Sequence, residues 1–170
     1  MSRVEELEKQ IQELDERKVA LQKELEVEKQ KTEIDYPFNY RETCYLLSSN
    51  SVIVEDWWSS SGSDRNCYRQ GNFFKTKEEA QRERDKRELL TRFRQFRDKC
   101  NGDWKPEFEK WDEVKYALSY SYRTEKFDLC NGGYDTHFQT FGYFKNLDDG
   151  VRAINLFGDE IKRLFVEEEK

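Results

Sequence analysis

One short segment occurs twice in this chain of 170 residues, and the repeat constrains the fold more than any other feature. The residues FKTKEEA at 74–80 return as FKNLDDG at 144–150, and a glycine lies just upstream of each copy. In both copies an aromatic strand end meets a predicted N-cap residue, Thr76 or Asn146, with a carboxylate three residues later. This capping-box pattern begins helices. Most of the chain is therefore predicted to be one supersecondary unit used twice.

The first 31 residues follow a heptad pattern. Six of its seven a and d positions are apolar; the seven are Val4, Leu7, Ile11, Leu14, Lys18, Leu21 and Leu25. This narrow seam on a polar helix can fold back on the rest of the chain, but a second identical helix fits it better. In a parallel pair, Arg3 faces Glu8 of the other copy. We therefore expect a coiled-coil helix at 1–32 and a parallel homodimer formed through residues 1–31.

The rest of the chain is expected to form one α+β domain at 36–170. Pro37 ends the helical pattern, because the residue before a proline avoids the helical region. Two pseudo-repeats, at about 43–99 and 114–166, are joined by an aromatic linker at 100–113. The division follows the repeated segment and the changes in hydrophobic period along the chain.

Each pseudo-repeat is predicted to contain three strands and a helix in the order β-β-β-α; the first begins with a hairpin, and the strands of the second are predicted to form a meander. Residues 59–65 are predicted to be a polar loop between the second and third strands. The linker is predicted to hold a short amphipathic turn of helix with Trp104, Phe108 and Trp111 on one face. Two such units side by side would form a six-stranded antiparallel sheet with both helices on one face.

Charge and cysteine content narrow the class of function and the compartment. A net charge of −6 argues against a protein that coats nucleic acid through bulk electrostatics. No two of the four cysteines form a C-x-x-C pair, which favours free thiols in a reducing cytosol over a zinc site or redox dithiol. No apolar run approaches the length of a membrane span, and no signal peptide is indicated. We therefore expect a cytoplasmic protein without a membrane segment, metal or cofactor.

The helix predicted at 77–99 carries the main concentration of basic residues, with nine Lys or Arg against six acids. Its apolar stripe is thin, which predicts that much of its circumference is exposed; the stripe consists of Ala80, Leu90, Phe93 and Phe96. The candidate phosphate contacts on this helix are Arg82, Arg84, Lys86 and Arg87. The alternative is a solvated face with i,i+4 ion pairs such as Glu83–Arg87.

Trp57 and Trp58 mark a second candidate interaction surface. Adjacent residues of a strand point to opposite faces, so one indole should be buried and the other should lie on the far side of the sheet. An exposed indole could anchor a protein partner or stack on a nucleotide base. Tyr134 and Asp135 are expected to extend this surface.

No catalytic residue is predicted. His137 is the single histidine and lies in a predicted strand, where a structural role is favoured. The paired carboxylates Asp148 and Asp149 occupy the first turn of a predicted helix, where negative charge complements the helix dipole. The chain contains no phosphate-cradling glycine loop and no nucleophile elbow. We therefore expect a protein that is not an enzyme.

The stretch GNFFKTKEEA at 71–80, the charged helix after it, Asp103-Trp104, the tyrosine-rich strand at Tyr116 and the closing GDEIK at 158–162 resemble small uncharacterised proteins of Firmicutes phages and prophages. The resemblance covers roughly residues 45–166 and implies a viral protein, with no established activity to carry over. The shorter FKTKEEA segment also looks like the sheet-to-helix junction of the arm-binding domains of tyrosine integrases. Those domains read DNA with a three-stranded sheet.

Three classes of function are compatible with these features. We favour a non-enzymatic phage or prophage anti-defence protein that binds and inhibits a host protein, such as an antiviral nuclease, in the host cytoplasm. An acidic body can occupy a basic groove that normally holds nucleic acid. The second class is a nucleic-acid-binding module that uses the basic helix or an aromatic sheet face. The third is a protein that sequesters a small nucleotide signal in an aromatic pocket.

Overall fold

A computed structural model describes residues 2–110, 112–131 and 139–167. The elements in chain order are α1 (Arg3–Thr32), β1 (Thr43–Leu47), β2 (Ile53–Trp57), α2 (Gly62–Arg69), β3 (Phe73–Phe74), α3 (Lys77–Asn101), β4 (Tyr116–Ser121), β5 (Lys126–Asn131) and α4 (Leu147–Ile161). A π-helical turn, Lys162–Val166, extends α4. The predicted mixed α+β class with a long N-terminal helix is confirmed.

In the described residues the strands form two separate antiparallel sheets, so the prediction of one six-stranded sheet is wrong there. The first sheet has the order β2-β1-β3, and the second contains β4 and β5. In the first unit β3 pairs with β1 rather than with β2, with Phe74 opposite Tyr45. In the second unit Phe144 likewise bridges to Tyr116 of β4, whereas the predicted meander would have placed this strand beside β5. The start of that predicted strand lies outside the described residues. Each helix follows its own sheet, with α3 on the strands of the first, α4 on those of the second, and α3 packed on α4.

A short helix that the sequence analysis missed explains the strand order. Residues 59–65 were expected to be a loop, but Ser61 begins α2 with its own capping box. The Ser61 hydroxyl accepts a hydrogen bond from the Asp64 N–H at 3.1 Å, and the Asp64 carboxylate accepts one from the Ser61 N–H at 3.3 Å. This helix of eight residues spans about 12 Å, enough to carry the chain past β1 rather than into a tight turn beside β2.

Two hydrophobic clusters fill the interior. On one side of the first sheet, Phe38, Cys44, Trp58 and Phe73 are buried, with Tyr68 of α2 packed against them. The second cluster lies among α3, α4 and the second sheet; its buried members are Leu89, Phe93, Leu118, Phe144, Ala153, Phe157, Ile161 and Leu164. Aromatic rings dominate the first cluster, whereas the second combines three phenylalanines with aliphatic side chains.

The N-terminal helix α1 is exposed along its described length. Ser2 caps it, with its hydroxyl accepting the Glu5 N–H at 3.3 Å. The six apolar side chains of the heptad seam are between 43% and 65% exposed. The alternative in which this helix folds back on its own domain would bury them, and it is not observed. The single chain therefore leaves an apolar seam uncovered.

The two repeated helices begin differently, although their sequences predict the same device. Thr76 forms a complete capping box with Glu79, whose N–H lies 3.1 Å from the threonine hydroxyl oxygen. Asn146 makes no side-chain hydrogen bond to the backbone of α4. Its amide instead donates to the Asp149 carboxylate at 3.2 Å. The predicted capping box at Asn146 is therefore wrong.

We expect Thr76→Ala to raise amide exchange across residues 77–81 more than Asn146→Ala raises it across 147–151. Removing an N-cap acceptor typically costs about 1 kcal/mol, and Asn146 has no such hydrogen bond to lose. Hydrogen–deuterium exchange followed by NMR measures both segments in the two variants. Equal loss of protection at the two helices would contradict the difference in capping.

Candidate functional site

The two neighbouring tryptophans lie on opposite faces of the first sheet, as predicted. Trp58 is 2% exposed, and its ring stacks on Phe38 with centroids 5.1 Å apart. Trp57 ends the edge strand β2 and is 63% exposed. A tryptophan that becomes buried on a partner removes a large apolar area from water, and such residues are enriched among interface anchors. Trp57 is therefore the candidate anchor.

A second exposed aromatic residue lies at the same end of the sheet. Tyr40 is 68% exposed, and the next residue, Arg41, donates its N–H to the Trp58 carbonyl at 2.7 Å. Trp57 faces Thr43 across the β1–β2 pair, so both aromatic residues belong to the end where β1 begins and β2 ends. We call this surface the Trp57 end; it consists of Tyr40, Glu42, Glu55, Asp56 and Trp57.

The Trp57 end is acidic on balance: its three carboxylates stand against one guanidinium, that of Arg41, which lies 5.5 Å from the Tyr40 ring centroid. A hydrogen bond from the backbone N–H of Asn39 lowers the pKa of Glu42. Burial raises the pKa of the Cys44 thiol to about 11, and the negative charges of Asp56, Asp64 and Glu42 add to the rise. The carboxylates of Glu42, Glu55 and Asp56 outnumber the cation at this end, which favours a cationic partner surface.

In each sheet, an aspartate carboxylate accepts a backbone N–H group of an edge strand. The Trp58 N–H donates to the carbonyl of Glu42, the residue just before β1. Because successive N–H groups of a strand point to opposite sides, the Trp57 N–H points away from β1. The Asp56 carboxylate accepts this outward N–H at 2.8 Å. In the described part of the second sheet, Asp128 accepts the Leu129 N–H of β5 at 2.8 Å. Charged groups on an edge discourage strand addition, so side chains rather than backbone are the contact groups here.

Two arginines of α3 hold the equivalent glycine turns of the two units. Gly71 and Gly142 have φ of +70° and +71°, which other residues rarely adopt. Arg87 Nη2 donates to the Gly71 carbonyl at 2.7 Å, and Arg97 Nη1 donates to the Phe141 carbonyl at 3.1 Å. A Cβ atom at Gly142 would collide with the Arg97 guanidinium. Both arginines therefore have structural roles.

Other basic residues of α3 also have partners within the chain. Arg92 Nη2 donates to both oxygens of Glu160 on α4, at 2.7 and 2.8 Å. Lys86 lies 5.3 Å from the ring centroid of Phe165, and Arg84 pairs with its neighbour Asp85 at 3.1 Å.

The expectation that α3 exposes much of its circumference is confirmed, since Ala80, Leu89 and Phe93 are its buried residues, but the segment that carries most of the candidate phosphate contacts is less exposed. Residues 83–87 are all partly buried, because α3 packs on the first sheet and on α4. Leu89 is fully buried and Leu90 only partly, so the apolar stripe of α3 contains Leu89 in place of the predicted Leu90. The predicted Glu83–Arg87 ion pair is present at 2.7 Å. These contacts favour the alternative of internally paired charges over a free basic face.

A cleft of about 440 Å³ lies between α3 and the β1–β2 turn. Its polar lining consists of Ser48, Ser49, Ser51, Asn72, Arg84, Arg87, Glu88, Thr91 and Arg92. Three arginines and one glutamate line the cleft, and each arginine also contacts a carboxylate: Asp85 for Arg84, Glu83 for Arg87 and Glu160 for Arg92. The sequence pattern identified Arg84 and Arg87 as candidate contacts, but it did not indicate that the serine-rich β1–β2 turn lies opposite them.

The linker is organised by a buried ion pair that the sequence did not suggest. Lys115 is 1% exposed, and its ammonium lies 3.0 Å from the Glu113 carboxylate. The same carboxylate accepts the Glu107 N–H at 2.8 Å and the Trp104 indole N–H at 2.9 Å. These hydrogen bonds, first that of the Glu107 backbone, lower the pKa of Glu113 to about 2. The predicted helical turn is absent from the described residues 104–110, where the chain forms turns.

Some predicted site residues lie outside the described part of the chain. Tyr134, Asp135, His137 and Trp111 belong to this group. Within the described residues, no group of His, Cys, Asp and Glu side chains is arranged to hold a metal ion. In the same residues, no helix is long and apolar enough to span a membrane.

The chain matches no known protein-family model, and comparison with curated proteins and with solved structures gives no significant match. The fold and the surfaces described above are therefore the basis for assigning a function.

Proposed function

We propose that this chain is a non-enzymatic phage or prophage accessory protein, which acts as a dimer to bind and inhibit a protein of the host cytoplasm. The target class is a nucleic-acid-handling defence protein, such as an antiviral nuclease. The observation that carries the proposal is Trp57, an indole 63% exposed at the acidic end of the first sheet. The phage setting rests on the sequence resemblance alone.

The exposed seam of α1 supports a parallel dimer. In an in-register parallel pair, Arg3 faces Glu8 and Glu24 faces Lys29 of the other copy, and the two remaining g–e pairs each contain a glutamine. A fully overlapping antiparallel pair would instead bring the Arg17 residues of both copies together. Opposite charges across the seam therefore favour the parallel arrangement.

The charge distribution supports a protein target. A protein that normally holds nucleic acid presents a basic groove, and the carboxylates of the Trp57 end complement such a groove. The arginines of α3 that could contact phosphates pair with carboxylates of the chain, and Arg84, Arg87 and Arg92 line a cleft rather than an open face that a nucleic-acid backbone could follow.

Trp57→Ala is the variant that tests the proposal. The full-length protein is used as bait in host lysate at low salt, and each captured protein is purified and assayed for nuclease activity with increasing amounts of the dimer. We expect inhibition that saturates at a fixed stoichiometry. Trp57→Ala should weaken it by about 30-fold, the effect of losing an interface anchor of about 2 kcal/mol.

Leu156→Ala is the matched control, because this side chain is 62% exposed but lies on α4. We expect it to inhibit like the unmodified protein. Equal loss of inhibition in both variants, or no captured protein that the dimer inhibits, would contradict the proposal. A gel-shift assay with single- and double-stranded DNA and RNA separates the nucleic-acid alternative, whose binding should fall steeply with salt.

A further inference from the structure

We propose that the cleft between α3 and the β1–β2 turn is a binding site for a phosphate monoester. This site is separate from the Trp57 end, and the inference does not depend on the proposed inhibitory function. Arg84, Arg87 and Arg92 line one wall, and the turn that begins at Ser48 forms the other. The arginines occur at spacings of three and five on α3, which brings all three to the cleft.

The arginines are held in place but retain hydrogen-bond donors. A guanidinium has five N–H donors. Arg87 donates one N–H from each of its three nitrogens, to Glu83, Asn72 and the Gly71 carbonyl, so two of the five donors remain. These contacts fix the group before a ligand arrives, so little side-chain entropy is lost on binding.

Arg84 and Arg92 supply most of the remaining donors. Arg84 contacts Asp85 through Nε and Nη2, which leaves Nη1 without a partner among the described residues. Arg92 contacts Glu160 through Nη2, which leaves Nε and Nη1. Planar guanidinium groups with adjacent unused donors match the oxygens of a phosphate.

The opposite wall is a turn that exposes small polar groups. Ser51 has φ of +64°, and its N–H donates to the Ser48 carbonyl at 3.0 Å, so the turn is closed. Ser49 and Ser51 line the cleft, and hydroxyl groups there can donate to a phosphate oxygen. The lining contains no aromatic side chain. Recognition should therefore depend on the phosphate group rather than on stacking with a base.

One acidic residue provides an internal check. Glu88 lines the same cleft, where its negative charge opposes an anion. Its removal should tighten phosphate binding, whereas removal of Arg84 should weaken it. Opposite effects from two residues four positions apart on one helix are difficult to produce by unfolding or by a general change in the protein.

The test measures binding of AMP, adenosine and inorganic phosphate to the full-length protein by isothermal titration calorimetry. We expect AMP and inorganic phosphate to bind and adenosine not to bind. Arg84→Gln should weaken AMP binding about tenfold, the effect of losing a hydrogen bond to a charged group, and Glu88→Gln should strengthen it. Arg94→Gln is the control, because Arg94 is exposed on α3 and does not line the cleft.

Binding of adenosine as tight as AMP would overturn the proposal, and so would the absence of binding by AMP and phosphate. Equal weakening by Arg94→Gln and Arg84→Gln would also overturn it, because the effect would then be general electrostatics. Tighter binding of AMP than of inorganic phosphate would identify a nucleotide as the source of the phosphate group. Equal binding would identify the bare phosphate group as the whole determinant.

Discussion

Ile11→Asp combined with Leu14→Asp is expected to convert a dimer of about 41 kDa, twice the chain mass of 20.7 kDa, into a monomer. Each side chain lies in the α1 seam and is at least 60% exposed in the single chain. Pairing would bury four such side chains per dimer, at about 1.5 to 3 kcal/mol each. Aspartate removes this gain and places like charges together. Light scattering measures the mass directly.

The matched control introduces the same charges on another face of α1. Gln12→Asp combined with Val19→Asp places both carboxylates at b positions of the heptad, away from the seam. We expect this variant to remain a dimer. Dissociation of both variants would show that charge or helix stability, rather than the seam, was responsible. A monomeric unmodified chain would remove the coiled-coil proposal altogether.

The seam substitutions should leave the domain folded. The interior clusters contain no residue of α1. In chain order, the first residue that packs on either cluster is Tyr36, whose ring centroid lies 5.5 Å from that of Trp58. A chain that starts at Glu33 should therefore unfold cooperatively as a monomer. Loss of cooperative unfolding in this truncated chain would show that α1 contributes to the domain.

Glu113→Gln is expected to cost about 3 kcal/mol of unfolding free energy, because it leaves the buried ammonium of Lys115 without its counter-ion. Lys115→Met should cost less. The carboxylate that it leaves behind is 22% exposed and keeps the hydrogen bonds from Trp104 and the Glu107 backbone. Chemical denaturation of both variants measures the difference, and Glu109→Gln, on an exposed residue of the same linker, is the control.

The same ion pair predicts a dependence of stability on pH. The folded-state pKa of Glu113 is about 2, below its ordinary value of 4.5. Its stabilising contribution is therefore complete above about pH 4.5 and is lost as the pH falls toward 2. Glu113→Gln should flatten this part of the stability curve. An equally steep acid loss in Glu113→Gln would assign the effect to other carboxylates. A larger cost for Lys115→Met than for Glu113→Gln would contradict the buried-charge argument.

Features that depend on neighbours in the sequence could be predicted. The helix α1, the β1–β2 hairpin and the capping box at Thr76 each follow from patterns in which the residues that matter lie only a few positions apart. The opposite orientations of Trp57 and Trp58 follow from the period of a strand. The capping box of α2 has the same kind of local signal in Ser61 and Asp64, and it was overlooked.

The roles of the basic residues could not be read from composition. The sequence shows nine basic residues on one helix, but not which of them have partners elsewhere. Arg92 bonds to Glu160, 68 positions away, and Arg97 bonds to the Phe141 carbonyl, 44 positions away. Only the packing of α3 against the second unit brings these groups together. The arginine-lined cleft has the same origin, because its two walls are separate elements.

The sequence by itself determined most of the local elements, with α2 as the exception, together with the repeated strand-to-helix junction and the apolar seam of α1. The tertiary structure decided that Phe74 and Phe144 each pair with the first strand of their unit, and that the described strands form two sheets. It also decided which indole is buried and which charges are internal. The physical reason is range: turns, caps and periodicity act over a few residues, whereas strand order and charge pairing depend on distant segments that meet only in the folded chain.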